Sequence, residues 1–81
     1  MTFSMHDIRL VLSGLFTKKE KTEAKMEAKN RVLLFKKNQG GLDWFWYNKD
    51  DKGDLKLIAK NQNIITDVND LVIGLKENGI I

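Results

Sequence analysis

The sequence has one histidine, no cysteine and eleven Asp/Glu, and their spacing completes no catalytic motif. The single histidine, His6, stands next to Asp7 near the start of the chain. Nucleophilic catalysis needs a base that reaches a nucleophile and an acid that orients the base, and neighbouring residues on a helix do not face each other. We therefore interpret His6 as an exposed or capping residue rather than a catalytic one.

The segment NKDDKGD has the spacing of a calcium-binding loop only in part. Asn48, Asp50 and Gly53 stand at the first, third and sixth positions of such a loop. Lys52 occupies the fifth position, and Ala59 occupies the twelfth, where a bidentate glutamate is needed. We interpret the segment as a turn.

Other chemical motifs are incomplete as well. Gly40 and Gly41 are not followed by the Lys-Ser/Thr pair and helix start of a phosphate-binding loop. Three aspartates cluster at 50, 51 and 54, where a tight turn favours solvation over acid–base pairing, and the chain has no cysteine. We predict a protein that is not an enzyme, with no metal, no cofactor and no small-molecule substrate.

Length and composition predict a single small domain over residues 1–81. The chain is 42% hydrophobic with no proline, which is too apolar for obligate disorder, and its apolar runs are far shorter than the about 20 residues of a membrane span. Asp7 and Arg9 interrupt the stretch that a signal peptide would need. The absence of cysteine fits a reducing compartment. We expect a cytoplasmic protein with no membrane partner.

The first helix is predicted over residues 4–16 from apolar spacing and capping. Apolar residues follow Ile8 at i+3, i+4 and i+7, as on one face of a helix. Ser4 precedes this pattern as the predicted N-cap, and Asp7 suits the positive end of the helix dipole.

A second helix is predicted near the C-terminus by the same apolar spacing, which begins at Val68. Thr66 is its predicted N-cap. Gly79 is the predicted stop, after which Ile80 folds back on the last turn in a Schellman motif.

Residues 17–30, TKKEKTEAKMEAKN, are open to three interpretations. Glu, Lys and Ala favour a second helix by propensity. The alternation of Ala24, Met26 and Ala28 with charged residues instead fits a half-buried strand. We expect a solvated, partly extended segment that leads into the next strand.

The chain after residue 30 predicts a three-stranded antiparallel meander with strands at 31–37, 42–49 and 54–60. The sequence NQGG separates the first two strands as a hairpin loop, and DDKG separates the last two as a turn. The predicted fold is therefore α+β: an N-terminal helix, a three-stranded antiparallel meander and a C-terminal helix, with 17–30 an extended segment or a further helix.

Symmetric hairpins place residue 35 opposite 44, residue 33 opposite 46, and residues 57 and 59 opposite 46 and 44. Because side chains alternate across a strand, one face then collects Leu33, Phe35, Trp44, Trp46, Leu55, Leu57 and Ala59. The other face collects Val32, Leu34, Lys36, Asp43, Phe45, Tyr47, Lys56, Ile58 and Lys60. A slip of one residue would exchange the two sets.

Two arrangements of the helices remain open. We expect one helix on each face, which makes every aromatic side chain part of a core. If both helices pack on the tryptophan face instead, the second face is an exposed apolar patch ringed by lysines, and such patches mark interfaces.

The predicted function rests on that surplus apolar face together with the absence of a chemical site. We expect protein–protein docking, with another protein or a second copy as partner, by a phage or mobile-element accessory factor or inhibitor. Lys, Asn and Ile supply 26 of 81 residues, as AT-rich coding DNA would. The predicted anchors are Phe45, Tyr47 and Ile58, with Lys56 and Lys60 at the rim.

The alternative function is nucleic-acid binding by the basic N-terminal half. Residues 1–41 carry nine Lys/Arg and four Asp/Glu, whereas residues 42–81 carry five and seven. The candidate phosphate contacts are Lys18, Lys19, Lys21, Lys25, Lys29, Arg31, Lys36 and Lys37. Phe45 or Tyr47 would stack on bases.

Overall fold

The computed structural model describes residues 2–81 and contains two helices and a four-stranded sheet. The elements follow in the order α1 (Met5–Thr17), β1 (Glu23–Ala28), β2 (Arg31–Asn38), β3 (Gly41–Lys49), β4 (Leu55–Lys60) and α2 (Val68–Glu77). Every pair of sequential strands is antiparallel, and the spatial order is β1-β2-β3-β4. The α+β class and the meander are confirmed, but the sheet has four strands rather than three.

The additional strand is β1, which occupies the segment with three interpretations. Ala24 is buried and pairs with Phe35, whereas Glu23 and Lys25 on either side are exposed. The alternating-strand interpretation is therefore confirmed, and the expected solvated segment is wrong over residues 23–28. Pairing with β2 and burial of Ala24 outweigh the helical propensity of Glu, Lys and Ala, since strand preference is set largely by packing context.

Both helix starts follow from side-chain caps. Ser4 Oγ accepts a hydrogen bond from the Asp7 N–H at 3.1 Å, which confirms the predicted cap of α1. The cap of α2 is Asp67 and not Thr66, because the Asp67 carboxylate accepts from the Asn69 N–H at 2.8 Å.

The predicted Schellman motif ends α2. Gly79 has φ +70°, and its N–H donates to the Lys76 carbonyl at 3.0 Å. The Ile80 N–H donates to the Leu75 carbonyl at 2.9 Å, and the Ile80 side chain is fully buried. The motif thus satisfies carbonyls that the helix leaves unpaired and adds an apolar side chain to the core.

Both helices pack on the same face of the sheet, so the arrangement with one helix on each face is wrong. The core joins Ile8 and Leu15 of α1 to Leu71 and Leu75 of α2. From the sheet it takes one alternating set of side chains: Ala24, Leu33, Phe35, Trp44 and Trp46. The fold has two layers, and the second face of the sheet carries no helix.

The segment between β4 and α2 is held against β3 by backbone and amide hydrogen bonds. Leu42 and Ile65 exchange two backbone hydrogen bonds of 2.9 Å each. The Asn61 side chain accepts from the Trp44 N–H at 2.9 Å and donates to Asp43 at 2.8 Å and to the Asn63 carbonyl at 2.9 Å. These contacts turn the chain back so that α2 reaches the tryptophan face.

Candidate functional site

The helix-free side of the sheet, called the open face below, is the candidate site. The strand register assigns to it Glu23, Lys25 and Glu27 of β1, Val32, Leu34 and Lys36 of β2, Asp43, Phe45, Tyr47 and Lys49 of β3, and Leu55, Leu57 and Lys60 of β4. Its centre is apolar, and most of its outer positions carry charge.

The register between β2 and β3 agrees with the sequence prediction. Phe35 pairs with Trp44, and Leu33 pairs with Trp46. All four side chains are buried in the core. The alternate residues Phe45 and Tyr47 therefore lie on the open face, as predicted.

A β-bulge changes the register between β3 and β4. Ala59 pairs with Trp46, but Tyr47 pairs with Leu57, so that Ile58 is the extra residue. A bulge places two residues opposite one, so that the residues before it and those after it no longer alternate in step. Leu57 consequently lies on the open face, and the prediction that it belongs to the core is wrong.

The same bulge moves two further residues. Leu55 pairs with Lys49 on the open face, and Lys56 pairs with Asn48 on the opposite face. Lys56, a predicted rim residue, is therefore not on the same face as Tyr47. Ile58 is 50% exposed at the bulge itself, and Lys60 lies on the open face opposite Phe45.

Aromatic stacking organises the centre of the open face. The rings of Phe45 and Tyr47 lie 6.5 Å apart between centroids with an interplanar angle of 21°. Beside them Val32 is only 1% exposed although no helix covers it, whereas Leu55 and Leu57 are 48% and 47% exposed. The patch is thus partly closed by its own side chains and remains open toward β4.

Lysines and carboxylates alternate around this centre. Glu27 lies 3.1 Å from Lys25 Nζ and 3.3 Å from Lys49 Nζ. Hydrogen bonding to Lys25, and then to Lys49, lowers the pKa of Glu27 below its usual range. The Lys36 ammonium stands 5.5 Å from the centroid of the Phe45 ring, within the range of a cation–π contact.

The basic residues of the nucleic-acid alternative do not share one surface. Lys25 and Lys36 lie on the open face. Lys37, the next residue along β2, stands 5.6 Å from the Phe16 ring of α1 and donates to the Lys18 carbonyl at 2.9 Å. The remaining candidates are in the α1–β1 connection (Lys18, Lys19 and Lys21), in the β1–β2 turn (Lys29) and at the start of β2, where Arg31 donates to the Asn48 side chain.

The aspartate-rich turn uses its first carboxylate to hold its own backbone. Asp50 Oδ1 accepts from the N–H groups of Lys52 and Asp54, each at 2.9 Å, and Gly53 adopts φ +86°. Within residues 2–81, no group of three or more His, Cys, Asp or Glu side chains is arranged to hold a metal ion. None of the described helices is long and apolar enough to cross a membrane.

A polar cavity that sequence reasoning missed lies between α2 and the β4–α2 segment. Its volume is about 400 Å³, and its lining includes Trp44, Asn61, Asp70, Gly74 and Glu77. Trp44 Nε1 is buried and has no hydrogen-bond partner among the described residues. The cavity forms because the chain folds back after β4. No local sequence motif predicts this change of direction, so the cavity could not be predicted.

Asp43 is expected to make stability depend on pH. Hydrogen bonds from Asn61 and then Asn38 lower the pKa of Asp43 in the folded protein. A carboxyl group with a lowered folded-state pKa stabilises the fold above its unfolded-state pKa, and that contribution is lost as the pH falls through the folded-state value. The free energy of unfolding should therefore fall below about pH 4.

Urea unfolding at a series of pH values measures this effect. Asp43→Asn should show a weaker acid dependence than both the wild type and the turn variant Asp51→Asn, which also removes one carboxylate but keeps the hydrogen bonds of Asp43. Equal acid dependence in wild type and Asp43→Asn would contradict the assignment.

Comparisons of the chain with protein-family models, with curated proteins and with solved structures gave no match.

Proposed function

We propose that this protein is a small non-enzymatic binding protein that docks on another protein through its open face. One observation carries the proposal: both helices pack on the tryptophan face, so that the half-buried Phe45–Tyr47 stack and the exposed Leu55 and Leu57 lie on a side of the sheet that neither described helix covers. Apolar surface of this kind, with a polar rim, is typical of interfaces.

The anchors of the proposed interface are Phe45 and Tyr47, because aromatic side chains near the centre of an interface contribute most to binding. The bulge adds Leu57 next to Tyr47, and Ile58 lies at the edge of the same surface. Lys60 serves as a rim residue. We propose a cytoplasmic role, such as that of an accessory factor or inhibitor from a phage or mobile element.

Nucleic-acid binding is the second candidate, supported by the Lys36 ammonium beside the Phe45 ring. An ammonium next to an aromatic on an open sheet suits a phosphate and a stacked base. Glu27 and Asp43 on the same face would repel phosphates, and most of the other basic candidates lie outside the strands or, like Lys37, contact α1, so the charge distribution supports protein docking better.

The test compares alanine variants in affinity capture from a lysate of the source organism, followed by calorimetric titration of the captured protein. Phe45→Ala and Tyr47→Ala should each weaken binding by about 2 kcal/mol, because each removes a central aromatic contact. Phe16→Ala is the matched control, since Phe16 is an aromatic on α1 that is 54% exposed and remote from the open face. Wild-type affinity in both open-face variants would reject the proposal.

Titration with a labelled single-stranded oligonucleotide separates the two candidates. Docking on protein predicts no binding at about 50 mM salt, whereas contacts to phosphates predict an affinity that falls steeply with salt. Measurable binding that Tyr47→Ala abolishes would favour the second candidate.

A further inference from the structure

On two strands of the open face, acidic and basic residues follow one another in an order that is the opposite when the strand is read backwards. On β1 the order is Glu23, Lys25, Glu27, and Lys29 follows in the turn; on β3 it is Asp43, Phe45, Tyr47, Lys49. If the reversed order of either strand is laid on the forward order, each acidic residue falls on a basic one. On β3, Phe45 also falls on Tyr47. A surface with this property is complementary to a rotated copy of itself.

The strand register places the midpoints of the β1 and β3 charge patterns on one line across the sheet. Lys25, Leu34, Phe45 and Lys60 form one row across the sheet, and Glu27, Val32, Tyr47 and Leu57 form the next row. The midpoint of the β1 pattern and the midpoint of the β3 pattern both fall between these two rows. A single axis in the plane of the sheet, perpendicular to the strands, therefore relates the two halves of the β1 and β3 patterns, and on β4 it exchanges Lys60 with Leu57.

We propose that the partner of the open face is a second copy of this chain, packed face to face about that two-fold axis. The rotation places Phe45 on Tyr47 of the second copy, and Val32 on Leu34 of the second copy. It also places Lys25 on Glu27 of the second copy, and Asp43 on Lys49 of the second copy. Each contact occurs twice, as an isologous interface requires.

Known sheet packing is compatible with this arrangement. The rotation keeps the strands of the two sheets aligned, and aligned sheets pack about 10 Å apart with their side chains interdigitated. The alternative rotation, about an axis parallel to the strands, would place β1 over β4 and β2 over β3. It would bring Lys25 onto Lys60 of the second copy and Lys36 onto Asp43, one repulsive and one attractive pair, whereas the axis perpendicular to the strands opposes no like charges. Charge therefore selects the axis perpendicular to the strands.

The size of the face predicts a weak dimer. Four strands at a spacing of about 4.8 Å and seven residues at about 3.4 Å each give a surface of roughly 400 Å² in projection. This is below the about 800 Å² that each partner buries in a standard stable interface. We expect a dissociation constant on the order of 10–100 µM, so that association depends on protein concentration and weakens in high salt.

The first measurement is sedimentation velocity of the wild type from about 10 µM to about 1 mM, in low and high salt. Lys25→Glu should weaken dimerisation at least tenfold, because it sets two carboxylates against each other twice per dimer. Glu27→Lys should do the same with two ammonium groups. Lys76→Glu and Glu77→Lys on α2 make the same charge changes on the other layer and should leave dimerisation unchanged.

An equimolar mixture of Lys25→Glu and Glu27→Lys gives the decisive result. In the mixed dimer the introduced glutamate faces the introduced lysine, and Glu27 of one chain faces Lys25 of the other. The mixture should therefore associate more tightly than either variant alone. Both variants keep a net positive charge, because +3 changes to +1 and to +5, so that nonspecific attraction does not explain association.

Three results would overturn the inference: a wild type that is monomeric at about 1 mM in low salt, a dimer that the β1 variants do not weaken, or a mixture that stays monomeric. The inference rests on the proposed docking function, but the dimer can be disproved while the docking function stands. A monomeric wild type whose captured partner still requires Tyr47 would keep the docking function and remove the second copy as the partner.

Discussion

Trp44→Ala is expected to destabilise the protein by about 3–5 kcal/mol, the range for truncation of a large buried aromatic side chain. Trp44 is 2% exposed and lies in the core between the sheet and α2. A Cβ atom added at Gly74 of α2 would stand 3.2 Å from its ring, which shows how closely the helix approaches the indole. A cavity at this position would separate α2 from the sheet.

The expected loss is large relative to the whole stability. At about 0.05–0.15 kcal/mol per residue, a chain of 81 residues has a free energy of unfolding of roughly 4–12 kcal/mol. Urea denaturation followed by far-UV circular dichroism should show a much lower midpoint for Trp44→Ala, and partial unfolding at 37 °C.

Tyr47→Ala is the matched control for this prediction, because Tyr47 lies on the same strand but on the open face. The free energy of unfolding of Tyr47→Ala should be only about 1 kcal/mol lower than that of the wild type, the scale of one stacked aromatic pair, when both are measured at low protein concentration. If Tyr47→Ala were as unstable as Trp44→Ala, Tyr47 would be a core residue, and the docking proposal would lose its basis. A stable Tyr47→Ala variant is also what makes the binding experiments interpretable.

The helices and the central hairpin could be predicted from sequence because their signals are local. Ser4 and Gly79 have the capping roles that their residue types favour. Gly40 adopts φ +73° between β2 and β3, so that the turn fixes the pairing of Phe35 with Trp44. In each case a few neighbouring residues determine the geometry.

The first strand could not be selected from its three interpretations, and the bulge could not be predicted, because their causes are not local. The β1–β2 turn, at Lys29 and Asn30, contains no glycine to mark it. The bulge at Ile58 depends on how β4 meets both β3 and the segment that follows, where Asn61 bonds to Trp44. The alternation in LKLIAK breaks at Leu57-Ile58, but consecutive apolar residues also occur in regular strands that are buried on both faces, so the break does not by itself specify a bulge.

The centre of the candidate site was predicted because local signals determine it, and its edge was missed because the bulge is not a local feature. Phe45 and Tyr47 are on β3, whose register with β2 follows from the hairpin. Leu57 and Lys56 are beyond the bulge, and their faces are therefore exchanged. The charge reversal on β1 also required knowledge that residues 23–28 are a strand, since only a strand places Lys25 and Glu27 on one face.

Gly41→Ala is expected to be the other strongly destabilising substitution, with a loss of about 3 kcal/mol, at the upper end of the range for overpacking. A Cβ atom at Gly41 would stand 2.6 Å from Ile64 Cγ1 and 2.7 Å from the Ile65 carbonyl oxygen. The side chain of Ile64 can rotate, but the carbonyl oxygen cannot move alone. It accepts the hydrogen bond from the Leu42 N–H at 2.9 Å, so displacement breaks the bridge that returns the chain to α2.

Gly14→Ala is the matched control, because, apart from its chain neighbours and the backbone of its own helix, no heavy atom of the described residues lies within 4 Å of the position that its Cβ would occupy. Within α1 the exchange of glycine for alanine should stabilise the protein by up to about 1 kcal/mol. For a domain of this size 1 kcal/mol corresponds to about 4–8 °C in Tm, so Gly41→Ala should lower Tm by more than about 10 °C while Gly14→Ala raises it.

Hydrogen exchange locates the cause of the Gly41→Ala effect. The backbone N–H groups of Leu42 and Ile65, which form the bridge, should lose protection before the central β2–β3 pairs do, since the clash acts on the return segment. A Gly41→Ala protein with wild-type Tm and a protected Ile65 N–H would show that this segment moves aside without cost, and that the contact between β3 and residues 64–65 does not hold α2 in place.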